Sequence, residues 1–160
     1  MAEPSRAPEA RISAPGTHFL IVEARFYDAI GALLLEGATK TFREAEARWT
    51  LARAPGALEI PAAVAILLDA AEKAGAPYDG VVTLGCVVRG ATYHFEIVAG
   101  ESARALMDLS VARKIALGNG ILTTENEEQA FARADPQRLD KGGDAARAAL
   151  AMWRLKQGSC

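Results

Sequence analysis

Four short apolar runs, His18 to Ala24, Trp49 to Ala52, Gly80 to Val88 and Ile115 to Leu122, alternate with longer segments whose apolar residues recur at helical spacing. Each run is bounded by Gly, Pro or charge and is too short for a helix, so each is expected to form a strand. Nearly continuous apolar character further predicts strands covered on both faces. The helical segments are marked by Ile30, Leu33 and Leu34, by Val64, Leu67, Leu68 and Ala71, by Leu106 and Leu109, and by Ala146, Leu150 and Trp153. Strands separated by helices are joined by right-handed crossovers, which lay the strands parallel and place helices on both faces of the sheet. The expected fold class is therefore α/β, three layers deep, with a four-stranded parallel sheet.

Length and charge exclude other classes. With 160 residues, 51% of them apolar, the chain is long enough for one core and too apolar to be disordered. A net charge of -2 gives no general attraction to nucleic acid or to an anionic membrane, and neither is an expected partner. No uncharged stretch approaches the roughly 18 residues of a membrane-spanning helix. Residues 1–16 mix Pro, Ala, Glu and Arg without an apolar centre, so they read as a flexible arm rather than a secretory signal, followed by one domain over 17–160. A cytoplasmic location is expected. Cys86 in an apolar run and Cys160 at the last position form neither a disulfide framework nor a metal knuckle, and both are expected to stay reduced.

In open parallel sheets, ligands bind at the carboxyl ends of the strands, so the chemistry is sought there. The first strand runs into Arg25-Phe26-Tyr27, an aromatic pair that serves either packing or ring stacking. The second runs into Pro55-Gly56-Ala57-Leu58-Glu59-Ile60-Pro61, a forced turn whose exposed backbone also offers donors and acceptors to a flat polar ring. The third leads from Gly85-Cys86-Val87-Val88 into Arg89-Gly90-Ala91-Thr92-Tyr93-His94-Phe95-Glu96. A small-residue turn opening a helix presents free N–H groups and the positive end of the helix dipole, which suits a phosphate. Neither a Walker loop nor a GxGxxG fingerprint is present, which argues against nucleoside triphosphates. His94, expected one turn into that helix, is either a surface or capping residue or a proton shuttle beside the anion. The fourth strand ends in Gly118-Asn119-Gly120-Ile121-Leu122-Thr123-Thr124-Glu125-Asn126, where a Thr or Asn cap precedes a helix carrying Gln129 and Arg133. A polar loop, Asp135 to Gly143, contains Lys141.

Taken together, Pro55 to Pro61, Gly85 to Glu96, Gly120 to Thr124, Gln129-Ala130, Arg133-Ala134 and Lys141-Gly142 resemble the 6,7-dimethyl-8-ribityllumazine synthases, in order and across Phe19 to Leu155. The resemblance implies a flavodoxin-like fold. It also implies condensation of 5-amino-6-ribitylamino-2,4-pyrimidinedione with 3,4-dihydroxy-2-butanone 4-phosphate, the penultimate step of riboflavin biosynthesis, without metal or organic cofactor.

Carried over by position, Phe26 would stack on the pyrimidine, and Ala57, Leu58 and Glu59 would hold the ribityl chain. Val87 and Val88 would offer backbone contacts to the ring, with Asn119 and Lys141 also on the pyrimidine. Gly90, Ala91 and Thr92 would cradle the phosphate with Arg133, and His94 would move protons. The family further implies a pentamer with sites between subunits. Asp135-Pro136-Gln137-Arg138-Leu139-Asp140 replaces the Gly- and Lys-rich turn of shell-forming members, pointing to a free pentamer or a pair of them. Tyr27 stands where Asn is common and Asn119 where an aromatic is common. Two alternatives are a related riboflavin synthase, disfavoured by the phosphate set of Thr92 and Arg133, and a non-catalytic lumazine- or flavin-binding paralogue.

Overall fold

A computed structural model describes residues 10–158. Four strands, β1 (His18–Ala24), β2 (Arg48–Ala54), β3 (Gly80–Val88) and β4 (Leu117–Thr124), form one parallel sheet in the order β2-β1-β3-β4. Between and after them run α1 (Asp28–Glu44), a 3-10 turn (Ala57–Glu59), α2 (Ile60–Lys73), α3 (His94–Arg113), α4 (Glu127–Ala134) and α5 (Lys141–Lys156). This is the three-layer, flavodoxin-like arrangement expected from the alternation of apolar runs.

Side chains alternate across the sheet, so each strand feeds two cores. Phe19 and Ile21 of β1, with Val82, Leu84 and Cys86 of β3, pack against Ile30, Leu34, Ala38 and Phe42 of α1 and Ala146, Ala149 and Leu150 of α5. The one-turn spacing of 30, 34, 38 and 42 is what puts a single stripe of α1 on the sheet. On the other face, Leu20 and Val22 pack with Val81 against Ile60, Val64 and Leu68 of α2 and Leu106 of α3. Each large side chain buried this way contributes about 1.5–3 kcal/mol.

The expected boundaries of β1 and β3 match the structure. β2 is longer than expected and β4 is shifted toward its carboxyl end. Cover on both faces holds for the two central strands, β1 and β3, but not for β2 and β4. Those two are the sheet edges, and in β4 buried positions alternate with more exposed ones.

Of the segment expected to be an arm, residues 1–9 lie outside the described residues. Ala14 is buried, and its N–H donates to the Ala45 carbonyl at 2.8 Å. No described helix is long and apolar enough to cross a membrane.

Candidate active site

The chain reverses its direction of winding between β1 and β3, since β2 lies on one side of β1 while β3 and β4 lie on the other. Such a switch point opens a crevice at the carboxyl ends of the two central strands. Into that end project Phe26 after β1, the Ala57–Glu59 turn after β2, and Val87 to His94 at the end of β3 and the start of α3.

Phe26 is 78% exposed, and its ring forms a T-shaped pair with that of Tyr27, with centroids 5.1 Å apart and planes at 72°. Tyr27 packs on the core beside α1, and burial pushes its hydroxyl pKa up. The two readings of this aromatic pair therefore separate: Tyr27 packs, and Phe26 is displayed. After β2, Gly56 is extended and its carbonyl accepts the Glu59 N–H at 3.2 Å, closing the 3-10 turn. Ala57 is buried against Val87 and Val98, which joins this turn to the end of β3, while Leu58 and Glu59 stay exposed.

Gly90, Ala91 and Thr92 are exposed, and among the described residues their N–H groups have no hydrogen-bond acceptor. They stand just ahead of α3, whose dipole adds positive potential there. His94 is the first residue of α3 rather than one turn inside it, because Gly90 to Tyr93 remain non-helical. Its ring is exposed and makes no hydrogen bond among the described residues.

The other expected site residues lie on and beyond β4. Asn119 sits on the edge strand, where its Oδ1 accepts from the Thr83 hydroxyl at 3.1 Å and from the Ile121 N–H at 3.0 Å. A backbone N–H only donates, so the Ile121 bond fixes which end of the amide is oxygen and turns Nδ2 outward. Arg133 lies on α4 and Lys141 opens α5, with its Nζ 3.1 Å from Asp144 Oδ2. Burial works against ionised Asp144, but hydrogen bonds from Arg147 and Lys141 outweigh it, and its pKa is lowered. No hydrogen bond or ion pair among the described residues joins Arg133, Lys141 or Asn119 to Thr92 or His94.

Several residues near the site were not singled out from the sequence. Arg89 stacks over the Phe95 ring at 4.3 Å, pairs with Glu96, and places Nε 2.8 Å from Glu125. Those hydrogen bonds lower the Glu96 pKa and raise that of Arg89. Arg89 thereby ties the loop before α3 to the turn after β4. The partners lie 7 and 36 residues away, so no local spacing marks the triad. Among the described residues, no three His, Cys, Asp or Glu side chains are grouped to hold a metal ion.

Comparison with known proteins matches this sequence to one family. The sequence profile of the 6,7-dimethyl-8-ribityllumazine synthases spans residues 16–157. A protein of Rhodopseudomonas palustris named 6,7-dimethyl-8-ribityllumazine synthase 1 is 62% identical over 158 residues, covering 98% of this chain and 97% of its own. One of Methylocella silvestris, named 6,7-dimethyl-8-ribityllumazine synthase, is 62% identical over 95% of this chain and 93% of its own. One of Rhizobium meliloti, named 6,7-dimethyl-8-ribityllumazine synthase 1, is 61% identical over 88% and 92%. With a profile match over residues 16–157 and identities at this level along nearly the full length, the chain belongs to the 6,7-dimethyl-8-ribityllumazine synthase family.

Proposed function

We propose that this chain condenses 5-amino-6-ribitylamino-2,4-pyrimidinedione with 3,4-dihydroxy-2-butanone 4-phosphate, giving 6,7-dimethyl-8-ribityllumazine, phosphate and water. Its relatives at 62% identity bear the name of that reaction. The observation that carries the reading in this chain is the row of free N–H donors at Gly90 to Thr92 with His94 directly behind it. Imine formation, loss of phosphate and ring closure need a held leaving group and a group that moves protons, and this loop has both. Phe26 stacks on the pyrimidine, Ala57, Leu58 and Glu59 hold the ribityl chain, and the ends of Val87 and Val88 meet the ring. Positioning of the two substrates supplies much of the acceleration.

Arg133 completes the phosphate site, and Lys141 and Asn119 complete the pyrimidine site, from a neighbouring subunit. The resemblance to the family, whose sites lie between subunits, supports this. So does the exposed apolar surface, which includes Ile97, Met107, Val111, Met152 and Leu155. Met107, Val111, Met152 and Leu155 line one shared groove, and a contiguous apolar patch of this kind marks a surface where protein meets protein. The assembly is a cytoplasmic pentamer, or two pentamers together.

The test mixes purified protein with both substrates and follows lumazine absorbance, with light scattering for the mass of the assembly. Turnover that requires both substrates supports the reading. An intact oligomer that binds lumazine or flavin without turnover overturns it in favour of a binding paralogue.

A further inference from the structure

Glu23 is the one acid within β1 and is only 1% exposed, on the same face of the sheet as Phe19 and Ile21. An isolated carboxylate there costs several kcal/mol, so it persists only with partners. Both oxygens have one: Arg25 Nε donates to Oε2 and Arg53 Nε donates to Oε1, each at 2.9 Å. Arg53 stands directly opposite Glu23 in the β1–β2 register. Arg25 also gives Nη1 to Asp28 at 3.1 Å, at the start of α1. Its stem lies over Gly31, where a Cβ would sit 2.5 Å from Arg25 Cδ, so α1 leaves room for it.

The two arginines flank the strand ends where the chain leaves the sheet toward the site, Arg25 as the first residue past β1 and Arg53 as the next-to-last residue of β2. Arg25 directly precedes Phe26, and Arg53 precedes Ala54-Pro55-Gly56 and the Ala57–Glu59 turn. Phe26 has little packing of its own, so its direction depends on how the backbone before it is held. Apolar residues fill such a layer at least as stably as a buried ion pair, so the carboxylate is not explained by stability alone. What it does uniquely is join two chain exits, β1 and β2, through one group.

Resting on the function proposed above, we infer that Glu23 is a positioning residue for the pyrimidine substrate. It sets Phe26 and the Ala57–Glu59 turn relative to each other through Arg25 and Arg53, without touching substrate. Replacing it with Gln puts an amide NH2 against an arginine and breaks the bracket on one side.

The experiment measures steady-state KM for each substrate separately, and binding of the pyrimidinedione alone by calorimetry, in assembled Glu23→Gln protein. The expected result is a rise of about 10- to 100-fold in both the KM and the Kd for the pyrimidinedione, with the KM for the phosphorylated ketone unchanged. A merely structural role would lower thermal stability and move both KM values together or neither, and either outcome overturns the inference. Should Glu23→Gln not assemble, Arg53→Gln decides, since that side chain is 64% exposed and its loss leaves the Arg25 bond in place. It is expected to raise the pyrimidinedione KM in the same direction by less, and an unchanged value overturns the inference. If the unaltered protein binds the pyrimidinedione without turnover, the proposed reaction fails while the Kd comparison still decides the role of Glu23. If it does not bind, both fall.

Discussion

Arg133 donates an Nη1 hydrogen bond to the main-chain carbonyl of Gln129, one turn earlier on α4, at 3.0 Å. Gln129 is itself held at both ends, its N–H on Asn126 Oδ1 at 2.8 Å and its Oε1 on the Glu125 N–H at 2.9 Å. The arginine is therefore aimed by a capped helix start, and among the described residues its guanidinium pairs with no carboxylate. Its other N–H donors stay available for a bidentate contact with phosphate.

Replacing Arg133 with Ala is expected to weaken the phosphorylated substrate. A hydrogen bond to a charged group contributes about 1.5–3 kcal/mol, which corresponds to roughly a 10- to 150-fold higher KM for the phosphorylated ketone. Separate titration of the two substrates checks this. A KM for that ketone equal to that of the unaltered enzyme would remove Arg133 from the phosphate site.

His94 makes no intramolecular hydrogen bond among the described residues, so removing its ring leaves no buried partner exposed. His94→Ala is expected to assemble normally and to lose about 10²- to 10⁴-fold in kcat, the range for a lost proton-transfer group. Single-turnover absorbance with both substrates saturating reads the chemical step directly. Normal turnover in an assembled variant would leave positioning alone to account for catalysis.

How far the sequence foretells this structure depends on how local each cause is. β1 and β3 are legible because their apolar runs are buried on both faces and end at charge or Gly. β2 runs one residue earlier and two later than its apolar core, because a strand paired on one side accepts Arg48 and Arg53 on its open faces. β4 gains Thr123 and Thr124, which pair with Val87 and Val88 although their composition suggests a cap. It loses Ile115 and Ala116 because α3 runs to Arg113 and is capped by Lys114, in a left-handed conformation at φ 53°. At the site, the Pro-Gly and Gly-Ala-Thr turns announce themselves through backbone chemistry. The Glu23 bracket and the Arg89 triad do not, since their partners are brought together only by strand register and chain return.

Cys86 tests the electrostatics of the buried face. Burial pushes its thiol up to about 11, with a hydrogen bond to Thr124 opposing and the charge of Glu127 adding. A free cysteine titrates near 8.5, so the folded chain keeps its proton across the window from about 8.5 to 11 while the unfolded chain gives it up. The folded state then binds more protons, and stability falls as pH rises through that window. Thermal midpoints at pH 8 and pH 10.5 are expected to drop further apart in the unaltered protein than in Cys86→Ala. Alkylation in a Cys160→Ser background is expected to be slow at pH 8 and to quicken about tenfold per pH unit. Rapid alkylation at pH 8 would contradict the raised pKa.

Gly118 marks where β4 and α5 meet most closely. A Cβ built there would lie 1.8 Å from the Ala145 carbonyl oxygen, which is main chain and unable to swing aside. Gly118→Ala therefore forces β4 and α5 apart, and overpacking of this kind costs about 1–3 kcal/mol or more. At this chain length that corresponds to a fall of roughly 3–10 °C in Tm. Gly90 provides the contrast, because a Cβ there meets nothing within 4 Å. Gly90→Ala is expected to leave Tm unchanged while raising the KM for the phosphorylated ketone by crowding the donors around it. Calorimetric scans of both variants, paired with the two KM values, separate the effects: a fall in Tm for Gly90→Ala would contradict the open space around Gly90, and none for Gly118→Ala would contradict the close approach of α5 to β4.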